Sequence, residues 1–329
     1  MSRISRYQES IEKFIKNKNI NIYFSDEYTD IINNNLIKSD HLCGIILSTI
    51  FNHNSKKSSV KGHGYFLGIS VDILLIMLNT KNLNINMHQN LLIGIFKLLN
   101  ENVSLIKCNN QEDLNKIILK TYDYFNSIIY DIISTSTKMQ IKKMIKSDLL
   151  NLKTINDALY KKISSMNRYV EEDIIKYIKT SYGGIGKIVI VLSWILGGGS
   201  QDKKIISSLE LIGEKFGMIY KICNDFENII QDINNCEQNT NITKNIVINI
   251  GIQEGFSLFM ELKSSFYVEA LKLNIYTHTM KEVIDDILSL PRQMQAKKIE
   301  AHSKDEWFLK EFAAVLVPLA LRQAICYIA

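Results

Sequence analysis

The sequence predicts an all-α protein. Only two prolines, Pro291 and Pro318, and 15 glycines occur in 329 residues, which is too few turn residues for the many short strands of a β-sandwich or barrel. Hydrophobic residues make up 46% of the chain, enough to fill a deep core between long helices. No linker, repeat or change in composition divides the chain, so we expect a single domain over residues 1–329.

Helices are predicted wherever apolar residues recur at three- and four-residue spacing. Residues 65–78 are apolar on nearly every face and carry one acid, Asp72, which predicts a buried central helix. The other predicted helices span residues 5–16, 26–35, 41–51, 91–100, 111–134, 137–146, 155–166, 171–195, 246–273, 280–290 and 306–328, and a helix pair is predicted over residues 203–234.

Charge and cysteine usage exclude several classes of function. The net charge of +5 is spread over single lysines and lysine pairs, which is typical of a solvated surface and not of a nucleic-acid-binding groove. The five cysteines are scattered and odd in number, which favours free thiols in a reducing compartment over disulfides or zinc. Residues 1–19 are polar, and no apolar run is long enough to span a membrane. We therefore expect a cytoplasmic protein without a transmembrane segment.

One stripe of polar side chains interrupts an otherwise apolar helix. Residues 213–232 contain no proline and are predicted to form one helix of about five turns. Asn224, Asp225, Asn228 and Asp232 lie three or four residues apart, so they share one face of that helix. Short oxygen-bearing side chains are costly inside a protein unless they bind something, and Mg²⁺ prefers such ligands. A polar helix end that faces solvent is the alternative explanation.

The sequence around this stripe resembles the trans-prenyl diphosphate synthases and the related class I terpene synthases of the isoprenoid synthase superfamily. The prenyl synthases have a Lys-Thr pair, followed some forty residues later by G-x-x-x-G-x-x-(F/Y)-Q-(I/V)-x-D-D-x-x-D. The residues that occupy these positions here are Lys179, Thr180, Gly213, Gly217, Tyr220, Lys221, Ile222, Asn224, Asp225 and Asn228. Lys221 replaces the usual Gln, and Asn224 and Asn228 replace two aspartates.

The terpene-synthase pattern N-D-x-x-(S/T)-x-x-x-E fits the same stripe better. Asn224 and Asp225 match it, Asn228 takes the hydroxyl position and Asp232 takes the Glu position. Asn245 begins an Asn-Ile-Val segment similar to the one that follows this motif in terpene synthases.

The resemblance implies a bundle of antiparallel helices around a central cavity, in which divalent metal helps to ionise an allylic prenyl diphosphate. The implied metal ion is Mg²⁺ or Mn²⁺, and the implied partner, if any, is a second copy or a heteromeric subunit. By correspondence, the implied metal ligands are Asn224, Asp225, Asn228 and Asp232. The implied catalytic residues are Lys179, Thr180 and Asp225, and the implied substrate-binding residues are Lys179, Tyr220, Lys221 and Asn245.

Two family features are missing from the N-terminal half. Ten residues after Asp72, where the first Asp-rich motif should begin, the chain has Asn82, Asn84 and Asn86 and no carboxylate. The Gly-Lys-x-x-Arg-Pro segment for a second diphosphate is also absent. Three hypotheses remain open: a terpene synthase-like enzyme, a chain-elongating prenyltransferase with an eroded motif, and a catalytically silent subunit or binding protein that lost its metals. Separately, Gly183 and Gly184 could break their helix and expose carbonyls, or could merely ease its packing.

Overall fold

A computed structural model describes residues 3–54, 63–80, 84–106, 111–141, 145–146, 167–239 and 243–288. Within these residues the chain is helical, apart from one pair of two-residue strands, and the all-α prediction is confirmed. The predicted helices 155–166 and 306–328 and the side chain of Asn82 lie outside the described residues.

Six helices and a short 3₁₀ turn form the N-terminal part of the chain. Their bounds are α1 Arg3–Lys18, the 3₁₀ turn Ile20–Tyr23, α2 Asp26–Lys38, α3 Leu42–Asn54, α4 His63–Asn79, α5 Ile85–Ser104 and α6 Gln111–Ile141. The sequence predicted a break near residue 135, but α6 continues through it, because Ser134–Thr137 contains neither Pro nor Gly to end a helix.

The later part begins with the antiparallel strands β1 (Ile145–Lys146) and β2 (Asn167–Arg168), in which Ile145 lies opposite Arg168. The helices that follow are α7 Glu171–Lys187, continued by a π-helical turn Ile188–Leu192, α8 Ser193–Leu196, α9 Lys203–Glu227, α10 Ile229–Asn239, α11 Ile246–Ile250, α12 Ile252–Lys272 and α13 His278–Lys281, continued by a π-helical turn Glu282–Ile287. The helix predicted over residues 246–273 is divided at Gly251, whose φ of 105° lies in the left-handed region that favours glycine.

The chain groups into two compact units. The first unit consists of Met1–Ser136, Lys179–Met218 and Ser264–Ile287, and the second of Thr137–Ile178, Ile219–Lys263 and Leu288–Ala329. Helices α6, α7, α9 and α12 each contribute residues to both units. The single domain over residues 1–329 stays a prediction.

The core of the first unit is built around α4, as its apolar composition predicts. Helix α4 packs on α3 at a close approach of two glycines, where a Cβ on Gly68 would lie 2.9 Å from the Cα of Gly44. Phe14 of α1 packs edge-on against Phe66, with 4.8 Å between ring centroids. None of the helices in the described residues is both long and apolar enough to cross a bilayer.

A second glycine contact joins α7 to α9 within the first unit. A Cβ on Gly186 would lie 1.8 Å from the carbonyl oxygen of Gly213, and one on Gly217 would lie 1.8 Å from that of Tyr182. The two backbones therefore touch, and only glycine fits at these positions. Helix α7 runs unbroken to Lys187, so the hypothesis that Gly183 and Gly184 break it is wrong. Gly183 and Gly184 serve the packing of this helix.

Candidate functional site

The polar stripe spans the junction of two helices. Helix α9 ends at Glu227 and α10 begins at Ile229, so the prediction of a single helix over residues 213–232 is wrong at Asn228. The Asn228 side chain turns back and donates from Nδ2 to the carbonyl of Asn224 at 2.8 Å. The backbone N–H of Asn228 donates to the same carbonyl at 3.0 Å, and the Asn228 carbonyl accepts from the Asp232 N–H at 2.9 Å, so the interruption is confined to one residue.

Asp225 is the centre of the stripe and lies in the second unit. Its side chain is only 2% exposed. Oδ1 accepts a hydrogen bond from Lys221 Nζ at 2.5 Å, and Oδ2 accepts one from the backbone N–H of Ile246 at 2.8 Å. The carboxylate is thus held by an ammonium one helical turn earlier and by the first residue of α11.

Burial and charge oppose each other at this pair. Burial raises the pKa of Asp225 to about 6, although the Lys221 ammonium and the Ile246 N–H lower it. Burial lowers the pKa of Lys221, but the Asp225 carboxylate beside it outweighs burial, so the pKa of Lys221 is raised overall. At neutral pH both groups are charged and form a buried ion pair.

Asn245 connects the two ends of the stripe. It is the N-cap of α11, where its Oδ1 accepts from the Ile248 N–H at 3.2 Å. Its Nδ2 donates to the Asp225 carbonyl at 2.8 Å and to Asp232 Oδ2 at 3.0 Å. The structure therefore brings Lys221, Asp225, Asp232 and Asn245 together.

Three residues that sequence reasoning missed extend this cluster. Asn249 donates from Nδ2 to the carbonyls of Thr243 and Asn245, at 3.0 and 2.7 Å, and accepts from the Tyr169 N–H at 2.8 Å. The only sequence signal was the Asn-x-x-x-Asn spacing of Asn245 and Asn249, which places both on one face of a helix.

A second lysine lies near the pair. Lys244 Nζ lies 4.6 Å from the centroid of the Tyr177 ring, a cation–π distance. Burial lowers the pKa of Lys244, and the positive charge of Lys221 lowers it further. The second unit thus places two ammonium groups within electrostatic reach of each other.

Lys179 has a different partner in the first unit. Its Nζ lies 3.1 Å from Glu214 Oε1, and Lys187 Nζ lies 3.0 Å from Glu214 Oε2. The Lys179 side chain is 56% exposed, whereas that of Glu214 is 13% exposed. Thr180 beside it is half-buried. The sequence patterns did not indicate Glu214 as a site residue, although it directly follows Gly213 of the family-like motif.

Tyr220 and Asn224, the remaining predicted residues, are half-buried on α9, and Asn228 is exposed. In the N-terminal half, Asn84 is the N-cap of α5 and accepts from the Met87 N–H at 2.7 Å, while Asn86 is exposed. Asn84 is therefore engaged in starting a helix.

These residues do not fit a divalent metal ion. Both Asp225 oxygens already accept hydrogen bonds, one of them from a cation. Asn224 and Asn228 offer only neutral amides, which are weak partners for Mg²⁺. Among the described residues no three side chains of His, Cys, Asp or Glu are grouped closely enough to hold a metal. The metal ligands Asn224, Asp225, Asn228 and Asp232 stay a prediction that this geometry does not favour.

Comparison with solved structures identifies the architecture. A geranyltranstransferase from Thermotoga maritima superposes with a TM-score of 0.56 at 12% identity, covering 87% of this chain and 99% of the other. The chain has the isoprenoid synthase fold. An isoprenoid synthase family member from Thermotoga neapolitana gives a TM-score of 0.53 at 12% identity, covering 82% of this chain and 95% of the other.

A geranyltranstransferase from Methanosarcina mazei gives a TM-score of 0.51 at 13% identity, covering 82% of this chain and 90% of the other. No protein-family model and no curated protein matches the sequence. At 12–13% identity, the likeness to these isoprenoid synthase structures establishes the fold, and the sequence resemblance on the Gly213–Asn228 stretch agrees with it.

Proposed function

We propose that this isoprenoid synthase-fold chain is a catalytically silent subunit or prenyl-binding protein, in which a salt bridge has replaced the late metal site. The observation that carries the proposal is the Lys221 ammonium, 2.5 Å from Asp225 Oδ1. A cation of the protein itself neutralises the carboxylate that would otherwise attract a metal ion.

The charge of the motif supports the same conclusion. Relative to the prenyl-synthase pattern, Lys221 adds one positive charge, and Asn224 and Asn228 each remove one negative charge, so the motif is three charges more positive (one plus two). Such a motif attracts Mg²⁺ less strongly than the acidic prenyl-synthase pattern does. Lys221 is held by Asp225, so the ammonium of Lys244, beside the Tyr177 ring, is the group that supports binding of an allylic prenyl diphosphate without metal.

The competing proposal is a terpene synthase-like or prenyltransferase-like enzyme that ionises an allylic prenyl diphosphate with Mg²⁺ or Mn²⁺. One observation favours it: Asn245 holds the backbone of Asp225 and the carboxylate of Asp232 together, so residues of the terpene-synthase pattern remain grouped. The metal would supply charge neutralisation of the leaving diphosphate.

Assays with the full-length chain distinguish the two proposals. Geranyl, farnesyl and geranylgeranyl diphosphate are incubated with the protein and Mg²⁺ or Mn²⁺, and released diphosphate is quantified. We expect no release above a heat-denatured control, and we expect any affinity for farnesyl diphosphate to be the same with EDTA as with Mg²⁺. Metal-dependent release that Asp225→Ala abolishes would establish the enzyme instead.

A variant with the acidic prenyl-synthase motif restored tests directly whether the salt bridge has replaced the metal site. The triple variant Lys221→Gln, Asn224→Asp, Asn228→Asp recreates the prenyl-synthase pattern. We expect Mg²⁺ with inorganic diphosphate to raise the melting temperature of the variant but not of the wild type, because ligands stabilise only a state that binds them. Gln231→Asp, which adds one carboxylate at an exposed position of α10, is the control. An equal shift in the wild type would contradict the proposal.

A further inference from the structure

A small cavity is formed by residues near the start of the chain, within the first unit and far in sequence from the Asp225 cluster. Its volume is about 340 Å³, within the size range of small-molecule sites. It is lined by the end of α1, the 3₁₀ turn, the second half of α2 and the first residue before α3. The exposed lining residues include Glu12, Lys16 and Ile37, and the buried ones include Ile20 and Leu36.

The one buried ionisable group in this lining is His41. Its side chain is 2% exposed, and its Nδ1 lies 2.7 Å from Oδ2 of Asp72, which is itself 3% exposed. His41 has a φ of 55°, in the left-handed region that is uncommon for a non-glycine residue. The His41 side chain lies in the interior, where the Asp72 carboxylate holds it at the start of α3.

Asp72 fixes the orientation of the His41 ring but engages only one of its two nitrogens. Asp72 occupies Nδ1, and within the described part of the chain no hydrogen bond joins Nε2 to another protein atom. Burial lowers the pKa of His41, but its hydrogen bond to Asp72 and the charges of Asp72, Asp40 and Glu12 raise it by more, so the pKa is raised overall. Because Asp72 engages Nδ1, Nε2 is the ring nitrogen that remains for a hydrogen bond with a ligand.

We propose that this cavity binds a small, uncharged amphipathic molecule with one hydroxyl group, such as an aliphatic alcohol. The hydroxyl forms a hydrogen bond with His41 Nε2, and the aliphatic body packs on Ile20 and Leu36, which are 2% and 1% exposed. An apolar wall with a single polar group that fixes orientation is the usual composition of such sites.

The surrounding charges disfavour an anion. Three carboxylates, those of Asp72, Asp40 and Glu12, act on His41, while Lys16 is the one lysine in the lining. A carboxylate or diphosphate ligand would face this excess of negative charge, whereas an uncharged alcohol would not. The ligand proposed for this cavity is uncharged, unlike the diphosphate proposed for the second unit, and the inference does not depend on the function proposed above.

The test uses 1-hexanol as the probe and hexanoate as its charged counterpart. The full-length chain is titrated with each, following the ring ¹³Cε1 signal of His41 by NMR, assigned from the spectrum of His41→Gln, and the melting temperature. We expect saturable shifts with hexanol, and binding at least about tenfold weaker with hexanoate, since electrostatic mismatch costs affinity.

A variant that fills the cavity completes the test. Asn33 lines the cavity and is half-buried, while Asn34 beside it is exposed. We expect Asn33→Phe to weaken hexanol binding by about tenfold or more, because it occupies the ligand's volume, and Asn34→Phe to leave it unchanged. Should hexanol produce no saturable shift, hexanoate bind equally well, or Asn33→Phe and Asn34→Phe behave alike, the proposal is wrong. If Asn33→Phe fails to fold, Asn33→Leu takes its place.

Discussion

Each of the two units carries an ion-paired carboxylate next to the residues of the family-like motif, and the two differ in their exposure. In the first unit Glu214 lies between Lys179 and Lys187, whose side chains are 56% and 25% exposed. In the second unit Asp225 pairs with Lys221, and these side chains are 2% and 12% exposed. The same chemical pairing is thus solvated in one unit and enclosed in the other.

This difference decides what each pair contributes. Water screens the first, and exposed pairs contribute little to stability. Protein surrounds the second, so that each partner depends on the other for neutralisation, and removal of one leaves a buried charge. Lys179, which the resemblance marks as a diphosphate-binding residue, retains an ammonium that can exchange partners. The Lys221 ammonium cannot exchange partners, because Asp225 holds it.

The largest effect is expected at the glycine contact of the first unit. Gly186→Ala would place a Cβ 1.8 Å from the Gly213 carbonyl oxygen, which is backbone and cannot rotate away. We expect the free energy of unfolding to fall by more than about 4 kcal/mol, or the protein not to accumulate. Urea unfolding followed by circular dichroism measures this loss.

Gly184→Ala is the matched control for that variant. Its Cβ would meet only the side chains of Ile128 and Ile132, at 3.2 Å, which can move by a few tenths of an ångström, so we expect a change within about 2 kcal/mol. Equal losses for the two alanine variants would show that the backbone contact of Gly186 is not what limits the packing of α7 on α9.

Breaking the enclosed pair should have the next largest effect, and the effect should depend on pH. Lys221→Gln leaves Asp225 buried without its ammonium, which we expect to cost about 3–5 kcal/mol at pH 8. The pKa of Asp225 is raised from 3.8 to about 6 in the folded wild type. The folded state thus binds this proton more tightly than the unfolded state, and stability from this group falls as pH rises from about 4 to 6.

Without Lys221, which lowers the pKa of Asp225, that pKa should rise further. The loss in Lys221→Gln should therefore be smaller at pH 5, where Asp225 is protonated, than at pH 8. Urea unfolding at the two pH values measures the difference, with Lys215→Gln on the same helix as the control. A loss that is the same at both pH values would mean that Asp225 does not carry an unpaired charge in the variant.

The solvated pair should show the smallest effect. We expect Lys179→Ala to change the free energy of unfolding by less than about 1 kcal/mol, and the change to shrink further in 1 M NaCl because salt screens exposed charges. Lys187→Ala, which removes the less exposed partner of Glu214, should cost more. If Lys179→Ala cost more stability than Lys187→Ala, solvent exposure would not determine how much each ion pair contributes.

Much of the fold follows from local sequence patterns. Helix periodicity located α3, α4 and α7, whereas the glycine contact of α7 with α9 was found only in the structure. The predictions failed at Asn228 and Gly251, single residues that separate two helices; at Gly251 a left-handed φ ends the helix. A break confined to one residue produces no periodic signal, because the apolar spacing continues on both sides of it.

The candidate site was likewise predictable from the sequence only in part. The sequence by itself determined which polar residues share the stripe, and it placed Lys221 four residues before Asp225, within reach on one helix. Only the tertiary structure decided that this pair is buried, that the Ile246 N–H takes the second oxygen of Asp225, and that Asp72 pairs with His41, 31 residues earlier. Spacing along a helix fixes which side chains can meet. Whether water or protein surrounds them depends on segments distant in sequence, and that surrounding determines whether a carboxylate pairs with a lysine or remains available to a metal ion.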